Sequence, residues 1–154
     1  MEYKFYGAQS ADCKPILDSN NPESLLFARI KNPRHLYDLL SEIWSADTCA
    51  PRLRKNWTAE NKTLGQCSIT AFLVQDIFGG KVFGILRPGG NYHCYNVVGD
   101  CVFDLTSEQF GDEKLCYENN SEQFREVHFA KEEKHLRYEA LKAALVCHIL
   151  EKMN

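Results

Sequence analysis

Between Cys67 and Phe78 the chain sets apolar side chains at Ile69, Ala71, Phe72, Leu73, Val74, Ile77 and Phe78. That density leaves no room for a polar stripe, and a helix apolar nearly all round is a buried one. Gly79 and Gly80 follow, residues that readily take the left-handed conformation at a helix end. The pattern predicts a core helix that begins near Cys67. Upstream, Asn32-Pro33 supplies a capping side chain and a first-turn proline, and Leu36, Leu39, Leu40, Ile43 and Trp44 recur at helical spacing, predicting a helix over 33–46. At the other end Leu136, Leu141, Leu145 and Ile149 recur among Ala, Glu and Lys, an amphipathic helix over 131–152.

Between these helices the period changes to that of strands. Residues 81–87 read as one strand, and Pro88-Gly89-Gly90 as a turn. Tyr92 to Val98 and Cys101 to Leu105 flank Gly99-Asp100, a two-residue loop that opens with glycine, as a tight hairpin requires. That turn fixes the register: Val98 faces Cys101, Val97 faces Val102 and Tyr95 faces Asp104. Alternation then puts His93, Tyr95 and Asp104 on one face. His93 and Asp104 become diagonal neighbours with Cβ atoms about 7 Å apart, a gap their side chains can close. Thr106 to Phe110 reads as a capped helical turn, 111–121 as a polar loop, and 127–129 as an edge strand. Residues 1–22 show no period and form an irregular arm. The stretch 47–64, with Pro51 and a basic cluster at Arg52, Arg54 and Lys55, is a long connection running into Cys67. Such a connection more often lines a site than idles.

Composition narrows the partners. The chain has 154 residues, 18 Lys plus Arg and 21 Asp plus Glu, for a formal charge of -3. A single domain spanning 1–154 accommodates this length without disulfide staples. No basic run invites nucleic acid or an acidic membrane surface. The opening residues resemble no secretion signal and no apolar stretch is long enough to span a bilayer, so a cytoplasmic protein is expected. Seven cysteines, an odd number without regular spacing, agree with reduced thiols. No CxxC occurs, and the strand register sets Cys94 and Cys101 on the face opposite His93, so neither a metal nor any other cofactor is expected.

Three residues carry the candidate chemistry. Cys67 at a helix start meets unpaired amides and the positive end of the helix dipole, which favour a thiolate. His93 is placed to take the thiol proton, and Asp104 to fix the imidazole tautomer and stabilise its charged form. Gln66, beside the nucleophile, offers an amide for an oxyanion hole or a helix cap; Asn61 suits either oxyanion or substrate binding. Tyr95, opposite Asp104, would donate to that carboxylate or pack. The expected activity is acyl transfer on an amide-type or protein substrate through a Cys67 thioester. The rival reading is a non-catalytic binding or inhibitor protein in which the three residues are structural. If they serve reactivity rather than packing, Cys67→Ala and His93→Ala should each change stability by less than about 1 kcal/mol.

The string Asn61-Lys62-Thr63-Leu64-Gly65-Gln66-Cys67-Ser68-Ile69-Thr70-Ala71, followed by Gln75-Asp76, Phe78-Gly79-Gly80, the histidine with Asn96 three places on, Asp104-Leu105-Thr106 and Gln109-Phe110, resembles the YunG-like family of small uncharacterised bacterial proteins. The resemblance covers roughly residues 44–110, with Arg137-Tyr138 near the closing helix adding to it. The family brings no assigned activity. Its Cys, His, Asp order is similar to that of papain-like and transglutaminase-like thiol enzymes, in which a central helix presents the cysteine and adjacent strands present the other two. The resemblance implies an α+β domain with the Cys67 helix packed on an antiparallel sheet.

Overall fold

The computed structural model describes residues 2–153 as an α+β domain built on one four-stranded antiparallel sheet. Its elements in chain order are α1 (Ser24–Phe27), α2 (Pro33–Ser41), α3 (Cys67–Phe78), β1 (Lys81–Leu86), β2 (Tyr92–Val98), β3 (Cys101–Phe103), β4 (Ser121–Gln123), α4 (Arg125–His128) and α5 (Glu132–Lys152). The strands lie in the order β3-β2-β1-β4.

Helix α3 is the centre of the core because its sequence leaves it no solvent face. Ile69, Phe72, Leu73, Val74 and Ile77 are all fully buried. It packs on β1 and β2 and also against α5, which in turn meets α2. Truncating a side chain such as Phe72 to alanine would cost about 3–5 kcal/mol. Two polar side chains that enter this core are paired. Asn96 Nδ2 donates to the Ala71 carbonyl at 2.9 Å, and the Trp44 indole donates to Thr70 Oγ1 at 3.0 Å, so α3 is fastened to the sheet and to the chain beyond α2.

The start of α2 follows its sequence signal: Asn32 Oδ1 accepts from the His35 amide at 3.0 Å, with Pro33 in the first turn. The helix stops at Ser41, short of the expected residue 46, while Trp44 remains buried in the turn that follows. Helix α5 covers the expected span, but its buried face is Arg137, Tyr138, Leu141, Leu145 and Ile149, and Leu136 is exposed. Leu141, Leu145 and Ile149 keep the expected phase, and only Leu136 falls outside it, its turn of the buried face being taken by Arg137 and Tyr138, whose polar tips find partners.

The β2–β3 hairpin has the expected register, with Val98 opposite Cys101, Val97 opposite Val102 and Asn96 opposite Phe103, around Gly99 at φ 58. The ladder stops there. Asp104 pairs instead on its other side with Tyr6, its amide donating to the Tyr6 carbonyl at 3.0 Å, so the expected Tyr95–Asp104 pair does not form. The N-terminal arm thereby closes the edge of β3 and buries Phe5, Ala8 and Ala11. The edge strand expected at 127–129 is also corrected. Residues 125–128 form the turn of α4, and the polar segment Ser121–Gln123 is the strand that pairs with β1. What selects it is the row of unpaired backbone groups on the β1 edge, which any extended segment can satisfy, rather than hydrophobicity.

Candidate functional site

Cys67 is the first residue of α3, and the turn before it is built by Gly65, at φ 71. The Gly65 carbonyl accepts from the Ala50 amide at 3.0 Å and its own amide donates to Gln109 Oε1 at 3.4 Å. A side chain would not fit there, since a Cβ would lie 2.5 Å from Cys49 Sγ. The loop thus delivers the half-buried Cys67 to the beginning of β2, where Sγ lies 3.9 Å from the Tyr92 carbonyl oxygen.

His93 and Asp104 are almost completely buried, at 2% and 1% exposure, and His93 Nε2 lies 2.5 Å from Asp104 Oδ2. The two side chains meet as expected, although Asp104 lies one residue past the last rung of the β2–β3 ladder and bridges to Tyr6. Asp104 has further partners. Its Oδ1 accepts from the Thr106 amide at 3.1 Å and hydroxyl at 3.2 Å, and the Tyr117 hydroxyl donates to Oδ2 at 2.7 Å. A carboxylate surrounded by donors acts as an acceptor only and orients the imidazole. With Nε2 so held, His93 Nδ1 remains buried and without a partner. Phe110 stands edge-on to the ring at 4.7 Å.

The electrostatics shift the thiol of Cys67 and the imidazole of His93 in opposite directions. Donation from the Cys94 side chain is the largest influence on Cys67, and with the approach of His93 it outweighs burial and draws the Cys67 thiol well below its ordinary pKa. Burial alone would lower His93, but the Asp104 carboxylate and Cys67 more than offset it and raise the imidazole to about 10. Cys94 moves the opposite way, held well above the usual thiol range by its bond to Cys67 and by burial. The alternation of β2 sets Cys94 on the face opposite His93. Cys94 is buried in the core and does not line the cleft, whereas Cys67 and His93 do.

A cleft of about 760 Å³ opens over Cys67 and His93. The loop before α3 contributes Pro51 and Arg52, the β1–β2 turn contributes Arg87, and the far wall comes from α4 and the first turns of α5. The 47–64 connection therefore does line the cleft. Gln66, Asn61 and Tyr95 do not. Gln66 is fully buried and its Nε2 donates to the Ser45 carbonyl at 3.0 Å. Asn61 ends a short 3-10 turn away from the cleft lining. Tyr95 donates to the Tyr117 carbonyl at 3.2 Å and accepts from Asn120 Nδ2 at 2.9 Å. The donor to Asp104 is Tyr117, in a polar loop without period, and sequence reasoning had no signal for it. The side-chain amides that line the cleft are Asn91, Gln123 and Gln109, the last in the short helical turn Ser107–Phe110.

The site is thus a thiol, an imidazole and a carboxylate gathered at the start of a buried helix in an α+β domain. The chain belongs to the YunG protein family, whose model matches residues 32–149. It is 38% identical over 76 residues to the uncharacterized protein YunG of Bacillus subtilis (strain 168), an alignment that takes in 49% of this chain and 61% of that relative. No solved structure matches the chain. Among the described residues no helix is long and apolar enough to cross a membrane.

Proposed function

We propose that this protein is a cysteine-dependent hydrolase or acyltransferase acting on an amide- or peptide-type substrate, with Cys67 as nucleophile, His93 as acid and base, and Asp104 as the group that orients His93. The observation that carries the reading is the state of His93: Nε2 is held by Asp104 at 2.5 Å, while the other ring nitrogen is buried, unpartnered and beside a thiol of depressed pKa. The rotation of the ring is set by the carboxylate, which frees Nδ1 for proton transfer. The arrangement of a thiol at a core-helix start with His and Asp on the adjoining hairpin supports a papain-like or transglutaminase-like architecture.

In the first half-reaction the Cys67 thiolate attacks the substrate carbonyl carbon, and the carbonyl electrons move onto oxygen. Amides in the first turn of α3 lie at the positive end of the helix dipole and stabilise that charge. As the C–N bond breaks, the His93 Nδ1 proton passes to the leaving nitrogen, leaving an acyl thioester on Cys67 and a neutral imidazole. In the second half, His93 removes a proton from water or an amine as it attacks the thioester. Collapse expels the thiolate and restores the ion pair. Burial of both His93 and Asp104 keeps the imidazole in one orientation through the cycle.

The test uses a small aryl ester, p-nitrophenyl acetate, with intact-mass and peptide mapping. The expected result is a burst of p-nitrophenolate with the acetyl group on Cys67, lost in Cys67→Ala and slowed by about tenfold or more in His93→Ala. Acetylation confined to the exposed Cys116 and Cys147 would refute the assignment.

A further inference from the structure

The cleft over Cys67 is lined by Arg52, Arg87, Lys131, Lys134 and Arg137 but by a single acidic side chain, Glu133, in a protein whose net charge is -3. Two of the cations are neutralised locally. Arg87 makes a bidentate pair with Glu113 at 2.8 and 2.9 Å and lies over Phe110, and Arg137 is paired with Glu133. Arg52, Lys131 and Lys134 have no carboxylate partner among the described residues.

Lys134 is the informative one. It is half-buried, and burial lowers its pKa from the ordinary lysine value. A desolvated ammonium normally finds a carboxylate. Here its Nζ lies 2.9 Å from His128 Nδ1, and His128 Nε2 lies 2.9 Å from Gln123 Oε1. Burial, with Lys134 second, pushes His128 down to about 4, so near neutral pH the ring is uncharged, donating from Nε2 and accepting at Nδ1. Gln123 in turn lies over Gly84, where a Cβ would come within 2.8 Å of it. This chain of neutral groups fixes the position of Lys134 without cancelling its charge. Against burial, Cys94 and then Cys67 favour the charged ammonium.

We propose that the substrate presented to Cys67 carries an anionic group, and that Lys134, supported by Lys131 and Arg52, is the specificity-determining residue that holds it in the cleft. The proposal rests on the reading of Cys67 as nucleophile. An ammonium on a wall of the cleft that also holds Cys67 would hold a carboxylate or phosphate while the acyl carbon meets the thiolate. A cleft lined by one sign of charge also raises the local concentration of ligands of the opposite sign by about tenfold or more.

Two alkylating reagents that differ in charge test this: iodoacetate, an anion, and iodoacetamide, its neutral analogue. Both read the same thiolate, so the ratio of their rates at one cysteine reports the charge of its surroundings alone. The expected ratio at Cys67 is at least about fivefold higher than at Cys116 and Cys147, and it falls with added salt. Lys134→Gln should lower it by about threefold or more, and Lys134→Arg should retain it. Equal ratios at the three thiols, with Cys67 reactive toward both reagents, would overturn the anionic substrate and leave the nucleophile standing. A Cys67 that reacts with neither would count against the nucleophile instead. The anion site is then read in Cys67→Ala by thermal stabilisation with glutarate, inorganic phosphate and neutral glutaramide. Stabilisation by glutarate or phosphate but not by glutaramide, weakened about fivefold or more by adding Lys134→Gln, is the expected result. The two anions separate carboxylate from phosphate preference. No stabilisation by either, or an equal effect of glutaramide, would overturn the proposal.

Discussion

The hydroxyl of Tyr117 donates to Asp104 Oδ2 at 2.7 Å, the same oxygen that faces His93 Nε2 at 2.5 Å. Tyr117 also stacks on Tyr6 and stands edge-on to Tyr95, contacts that phenylalanine would keep. Tyr117→Phe should therefore cost about 1.5 kcal/mol, the worth of one hydrogen bond to a charged acceptor at the low end. The ring of His93 stays held, so Cys67 alkylation should change by less than about threefold. Urea denaturation and alkylation on the same sample check both, and a loss of reactivity larger than that of Asp104→Asn would contradict this division of roles.

Asp104→Asn keeps the shape of the side chain and removes its charge. Without that charge the imidazole loses the main influence that raises it against burial, and the thiolate of Cys67 loses part of its counter-charge. Alkylation of Cys67 near pH 6 should slow by about tenfold. Near pH 10 the thiol ionises without help, so the deficit should shrink. A deficit independent of pH would point to misplacement of His93 instead.

The hairpin was legible because a two-residue turn beginning with glycine determines which side chains face each other; His93 and Asp104 do meet, but Asp104 lies past the last paired rung and is held by Tyr6. The Cys67 helix was legible because a segment without a polar face has only one place to go. Other parts were hidden for physical reasons. Strand β4 is polar and forms because β1 has an open edge, a property of the sheet and not of Ser121–Gln123. Tyr117 reaches Asp104 from a loop that carries no period. Gln66 had a plausible site role from its position, but the Ser45 carbonyl claimed its amide, and no feature of the sequence announces that contact.

Burial changes one stability expectation. Cys67 is half-buried, and Cys67→Ala should stay within about 1 kcal/mol of wild type. His93 is 2% exposed and faces a buried carboxylate, so His93→Ala should cost about 3 kcal/mol, above the limit the sequence suggested. The cost depends on pH. The folded His93 is raised from 6.5 to about 10, so its contribution is fully present below about pH 6.5 and is lost as pH rises through about 10. Denaturation of Cys67→Ala with and without His93→Ala, at pH 6 and pH 10, should show the larger difference at pH 6; an equal or larger difference at pH 10 would reverse the sign.

Gly65→Ala should be damaging although glycine to alanine is the smallest of side-chain additions. The position has φ 71, and the new Cβ would meet Cys49 Sγ at 2.5 Å and the Ala50 amide nitrogen at 2.9 Å. A loss of about 2 kcal/mol or more is expected in urea denaturation, with slower Cys67 alkylation because the same turn places the thiol. Gly89, which has open space around it, provides the control. If Gly65→Ala costs no more than Gly89→Ala, the turn does not have the rigidity assigned to it.

The central claim, that Cys67 and His93 form a thiolate–imidazolium pair, is tested most directly by the pH dependence of iodoacetamide alkylation, mapped cysteine by cysteine. Cys67 should already react at pH 6, faster than the exposed Cys116 and Cys147 by about tenfold or more, and its advantage should narrow as those thiols ionise toward pH 9. His93→Ala should move the Cys67 profile toward higher pH. A Cys67 that stays unreactive throughout, or whose reactivity rises in step with Cys116 and Cys147, would contradict the ion pair and with it the assignment of Cys67 as nucleophile.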